Sequence, residues 1–188
     1  MSSSPKKQPP SPLPSPLHPC ACSVFVATSS DGYIADRDHK VDWLNDLRES
    51  HPLPEGDDGG FADFLESVDA IVMGRVTSPT TPFWDSGSNA RVRAVSGDPA
   101  SVLATVAGEA EGSPARTAVT RVCVYVDGGR CIRSFLDAGL VTSATITRVP
   151  VTLGDGVPLF SEEQASRLRE TRSVTLANGF VQTTFEVV

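Results

Sequence analysis

The stretch VYVDGGRCIRSFLDAGL, residues 124–140, is a strand that runs straight into a carboxylate, two glycines and a helix. Val124, Tyr125 and Val126 form an unbroken apolar and aromatic run, as expected of a strand covered on both faces. Ile132, Phe135 and Leu136 then recur at helical spacing, and Gly139 stands where a left-handed helix stop is needed. A strand that turns into a helix through Asp127, Gly128 and Gly129 is the repeating unit of a parallel sheet. Glycine permits the tight corner. The same bare corner also offers helix N–H groups to an anion.

Working outward, the pattern predicts a strand over 23–28, then the loop SSDGYIADRDHKVDWL. The whole of VDWLNDLRESHPLPEGDDGG, residues 41–60, reads as loop-like. Phe61, Phe64, Leu65 and Val68 predict a helix over 61–67, followed by a strand over 69–73 that ends at Gly74. A strand over 91–95 stops at SGDP, where Asp98 and Pro99 look like the cap and first turn of a helix over 100–110. The strand over 121–126 then leads into a helix over 130–138. Beyond it the pattern changes to a strand over 143–151, a turn at LGDGVPLF, and two alternating runs, 171–177 and 180–187, around Asn178-Gly179. The front therefore reads βαβαβα and the back antiparallel β. This is an α/β protein with a mostly parallel central sheet, helices on both faces and antiparallel C-terminal strands.

Seven of the fifteen prolines fall in residues 1–19, so 1–20 is expected to be a disordered Pro/Ser-rich tail and 21–188 a single domain. A net charge of −7 argues against a generic nucleic-acid or acidic-membrane binder. No run approaches the ~18 apolar residues of a membrane span. Cys20, Cys22, Cys123 and Cys131 lack zinc-ligand spacing, and His18, His39 and His51 fall in loops, so reduced structural thiols, no metal and a cytoplasmic setting are expected. HPCAC at the tail's end has no glutamate and the wrong spacing for a zinc deaminase.

In open α/β sheets ligands lie beyond the carboxyl ends of the parallel strands. Two such ends are bare here: MGRVT with Gly74, Arg75 and Thr77, and VDGGRC with Gly128, Gly129 and Arg130. Amides, guanidinium groups and a hydroxyl converging there suit a pyrophosphate. Neither is a G-x-G-x-x-G or a Walker loop, so the ordinary dinucleotide and nucleoside-triphosphate folds are poor fits.

The ordered set VFVATSSDGYIAD…VDWL, FLESVDAIVMGRVT, VYVDGGRCIRSFLDAGL and VPVTLGDGVPLF resembles the dihydrofolate-reductase-like family. It is most similar to the C-terminal reductase domain of bacterial riboflavin-biosynthesis deaminase–reductases and their stand-alone relatives, over residues 22–188. The resemblance implies a three-layer α/β/α sandwich and a homodimer formed through the C-terminal strands. It implies NADPH held by Ala27, Gly74, Arg75, Thr77, Ser96, Gly128, Gly129 and Arg130. NADH is the alternative, because Gly97 and Asp98 follow Ser96 where relatives carry an arginine. Ser29, Gly32, Ile34 and Trp43 are the substrate-side candidates, and Asp31 and Asp127 the candidate catalytic proton sources. The bland readings are a turn residue for Asp31, a helix cap for Asp127 and a core anchor for Trp43. The implied reaction is hydride transfer to a small pyrimidine- or pteridine-like heterocycle, such as the riboflavin-pathway 5-amino-6-(5-phosphoribosylamino)uracil. A non-catalytic binder on the same fold is the rival from another class. Dihydrofolate reductase proper is disfavoured because its substrate carboxylate sits on a helix where 41–60 reads as loop.

Overall fold

Val122, Val124 and Val126 of one strand pack into a cluster with Leu103, Val106, Ile132, Phe135 and Leu136, while Cys123 and Tyr125 join Phe61, Phe64 and Leu65 on the opposite side. Successive strand residues point to opposite faces, so this single strand is sandwiched between two helical layers. Cys22 and Val24 against Phe25, and Ala70 and Val72 against Ile71 and Met73, divide in the same way.

The computed structural model describes residues 20–74, 77, 91–95, 97–111 and 122–188. Its elements are β1 (Cys20–Thr28), β2 (Tyr33–Ala35), α1 (Asp42–Ser50), α2 (Phe61–Glu66), β3 (Ala70–Gly74), β4 (Arg91–Val95), α3 (Pro99–Glu111), β5 (Val122–Asp127), α4 (Gly129–Asp137), β6 (Val141–Arg148), β7 (Val157–Pro158), α5 (Glu162–Ala165), β8 (Leu168–Thr175) and β9 (Val181–Val187). Seven strands form one sheet in the order β4-β3-β5-β1-β6-β9-β8, and β2 and β7 form a separate two-stranded ribbon. β4, β3, β5, β1 and β6 are mutually parallel; β9 is antiparallel to both β6 and β8. Helices α3 and α4 cover one face and α2 the other. The expected three-layer architecture is therefore present.

Local signals hold where the sequence placed them. Asp98 Oδ2 accepts from Ser101 N at 2.9 Å at the head of α3. Gly139 has φ 69° beyond the end of α4, and Asn178-Gly179 lies in the β8–β9 turn closed by Leu176 N to Phe180 O at 2.8 Å. One reading is corrected. Part of 41–60 is a helix, α1, with Trp43, Leu44 and Leu47 half-buried and no residue fully buried. Its apolar stripe is too short to stand out from the polar residues around it. Residues 1–19 of the expected tail lie outside the described residues, and β1 begins at Cys20.

Candidate functional site

The two bare corners are neighbours. β3 and β5 pair in parallel with Met73 opposite Asp127, so Gly74 and Gly128 follow at the same edge of the sheet. Thr77 N closes a turn onto Gly74 O at 3.0 Å, and a Cβ on Gly128 would overlap the Thr77 hydroxyl. Gly128 has φ 87°, a left-handed conformation open to glycine. The N-terminus of α4 carries no side-chain cap, and Arg130 is exposed in its first turn. Gly129 meets a different need. A Cβ there would lie 3.0 Å from Val157 Cγ1 and 3.1 Å from Ile34 Cγ2, so the ribbon docks directly on the helix start. The glycines thus admit protein neighbours, and both are buried. Arg75 and Ser96 lie outside the described residues.

Asp127 continues the alternation of Tyr125 and so falls on the α2 face of the sheet. Its Oδ1 accepts from Gly128 N at 2.7 Å. Burial pushes its carboxyl above the ordinary aspartate range, against the opposing pull of the Gly128 amide and the Tyr125 hydroxyl. Tyr125 is itself raised well above the usual phenol range by burial and by the Asp127 charge, and its hydroxyl donates to Phe25 O at 2.9 Å. Below Asp127 lies an aromatic cluster that the sequence reading took only as helix packing. Phe25 and Phe61 have ring centroids 5.4 Å apart, Phe25 and Phe64 5.0 Å, and Phe64 and Tyr125 5.1 Å edge-on. Ala27, half-buried, is the next residue of β1 on the cluster's face, where its small side chain leaves room.

Asp31 is corrected. It is exposed, with Oδ1 accepting from Leu153 N at 3.2 Å and Oδ2 from Gly154 N at 2.8 Å. The Ser29 hydroxyl first, and then these amides, hold its carboxyl below the usual range. A carboxylate kept ionised in this way is a poor proton donor at neutral pH. Ser29 is fully buried and closes the turn, its Oγ accepting from Tyr33 N at 2.9 Å. Gly32 (φ 88°) completes the same turn, and Ile34 packs beside Gly129. Trp43 is half-buried, and its indole Nε1 is buried with no hydrogen-bond partner among the described residues. A buried unpaired donor costs stability. Cys131 is inert: burial, then the Asp127 charge, push its thiol up to about 12. No group of three metal-ligating side chains occurs among the described residues.

No family model matches the chain. The Bacillus subtilis protein YwjB, itself uncharacterised, is 31% identical over 166 residues, covering 79% of this chain and 89% of YwjB. A solved structure from Shewanella sp. PV-4, assigned by name to riboflavin biosynthesis, is 34% identical with TM-score 0.67, covering 89% of this chain and 99% of that one. Dihydrofolate reductase from Enterococcus faecalis, solved with NADP(H), shares the fold at TM-score 0.51 and 13% identity over 89% of this chain and 96% of its own. The chain belongs to the dihydrofolate-reductase-like family. A Thermotoga maritima diaminohydroxyphosphoribosylaminopyrimidine deaminase/5-amino-6-(5-phosphoribosylamino)uracil reductase has the same fold at TM-score 0.60 and 12% identity; 90% of this chain spans 57% of that one. Like other members of the family, the chain has a reductase-like fold, and no helix among its described residues is long and apolar enough to cross a membrane.

Proposed function

We propose that the protein is an NAD(P)H-dependent reductase of a small pyrimidine- or pteridine-like ring, with 5-amino-6-(5-phosphoribosylamino)uracil as the first substrate to test. One observation carries the reading. A carboxyl that burial pushes above the ordinary aspartate range, Asp127, stands above an aromatic cluster and beside two adjoining glycine corners.

A reduced nicotinamide, when bound, supplies the hydride. The protein's part is to place, shield and protonate. The uncapped first turn of α4 and Arg130 would hold phosphate oxygens, with Gly74 and Thr77 forming the adjoining wall. Arg75 and Ser96 are assigned to the same task. Phe25, Phe61 and Ala27 offer an apolar, largely aromatic surface, and the Trp43 indole N–H, without a partner among the described residues, would donate to a ring acceptor. Asp127 gives its proton as the ring takes up the hydride. NADPH is the first choice of cofactor and NADH the second, since Asp98 brings a carboxylate close behind Ser96 and spends it on Ser101.

Titrating protein into NADPH and NADH while following nicotinamide fluorescence tests the cofactor. Failure of both to bind at millimolar concentration overturns the reading. Steady NADPH oxidation on the phosphoribosylamino-uracil tests the substrate and separates an enzyme from a non-catalytic binder. Helix α1, present where a loop was expected, favours running dihydrofolate in the same assay as the second substrate. Light scattering at several concentrations checks the proposed homodimer, for which a constant monomer mass would count against the assignment.

A further inference from the structure

The turn after β1 is laced to a segment more than a hundred residues away. Val149 N donates to Thr28 O at 2.9 Å, and Ser30 N to Val151 O at 2.7 Å. Ser30 Oγ also reaches Val151 O and Thr152 Oγ1, each at 2.9 Å. Residues 149–156 belong to no helix or strand, so these bonds are what fix their course. Asp31 is the side chain that carries the lacing furthest, spanning the amides of Leu153 and Gly154. Directly beyond them the chain becomes β7 and pairs with β2, Ala35 opposite Val157. Gly156 has no space for a side chain, because a Cβ there would overlap Ala35 O. The ribbon then meets α4 at its first turns: Ile34 and Val157 lie over Gly129, and Arg133 donates to Pro158 O.

We propose that Asp31 is a positioning residue: by holding the Leu153 and Gly154 amides it fixes the β2–β7 ribbon over the start of α4, and thereby sets how tightly the nicotinamide cofactor is bound. The effect on the cofactor rests on the reductase reading; the latch itself does not. Arg37 and Asp155 form a second tie at 2.5 Å between the same two segments. That pair is well exposed, and exposed ion pairs hold weakly. The carboxylate is the stronger strap because two amides donate to one ionised group.

Asp31→Asn preserves the side chain's size but turns one acceptor into a donor facing an N–H; Asp31→Ala removes both acceptors. In both variants, hydrogen exchange at Leu153 and Gly154 is expected to accelerate by about tenfold or more, since local opening sets the rate. The NADPH dissociation constant is expected to weaken by about tenfold, a loss of ~1.4 kcal/mol, while the melting temperature stays within a few degrees of the parent. Exchange at the parental rate in both variants overturns the latch. Faster exchange with unchanged NADPH affinity overturns the positioning role, because a merely structural tie would behave in that way. Should the parent protein itself not bind NADPH, the cofactor reading fails there, and the exchange rates still decide the latch.

Discussion

Asp127 sits in an environment that favours its neutral form, while Asp31, on the neighbouring loop, is held ionised. Two aspartates that look alike in the sequence are thus pushed in opposite directions, one by burial and the other by hydrogen-bond donors. A carboxyl whose folded pKa exceeds its unfolded one binds its proton more tightly in the folded chain. Its contribution to stability is therefore most favourable below the unfolded pKa and declines as pH rises through the folded value. Asp127→Asn keeps an acceptor for Gly128 N and removes that decline. Its melting temperature should exceed the parent's at neutral pH, with the gain shrinking on acidification. Turnover should fall by about 10²-fold or more, as expected when a general acid is lost. A variant as active as the parent would remove Asp127 from the proton path. Gly128→Ala tests the adjoining corner. Positive φ and overlap with Thr77 together predict a loss of roughly 1–3 kcal/mol, read by chemical unfolding. Thr77→Ala in the same chain should restore part of it by relieving the overlap but not the strained backbone.

At the scale of elements, what packs both faces of the sheet was legible, and what is tied by distant polar contacts was not. The apolar run of β5 and the Ile132, Phe135, Leu136 stripe of α4 are local patterns whose periods survive into the fold. β2 and β7 are three and two residues long, too short for any period to show. The Asp31 clamp joins positions 122 and 123 residues apart, and no local pattern reports such a pair. The aromatic cluster was half visible: Phe61 and Phe64 were read as one helix face, while Phe25 and Tyr125 come to it from separate strands. α1 was missed because Trp43, Leu44 and Leu47 give it only a thin apolar edge. These differences have energetic counterparts. Phe135 is 2% exposed at the centre of the larger cluster, so Phe135→Ala should cost about 3–5 kcal/mol in denaturant unfolding. With no buried residue, α1 should open on its own well below the global unfolding free energy, and its amides should exchange faster than those of α4. Equal protection of the two helices would show that α1 is held by more than its visible contacts.

The whole molecule brings its two bare corners together by strand order alone. β5 is inserted between β1 and β3, although β3 and β4 precede it in the chain, and only this insertion sets Asp127 opposite Met73. In the unfolded chain the corners are more than fifty residues apart and form no common surface. A ligand that bridges them must bind the folded state almost exclusively, and must do so locally, because the chain carries a net charge of −7. Selective binding to the folded state shifts the unfolding equilibrium by mass action, by about 2.7 kcal/mol at a hundredfold excess over the dissociation constant. For a chain of this size each kcal/mol moves the melting temperature by roughly 2–4 °C. NADPH at that excess should therefore raise it by about 5–11 °C, and the rise should be smaller in Gly128→Ala, where the corner is distorted. A melting temperature that stays fixed under millimolar NADPH and NADH would mean that the paired corners serve the packing of the sheet and not a dinucleotide.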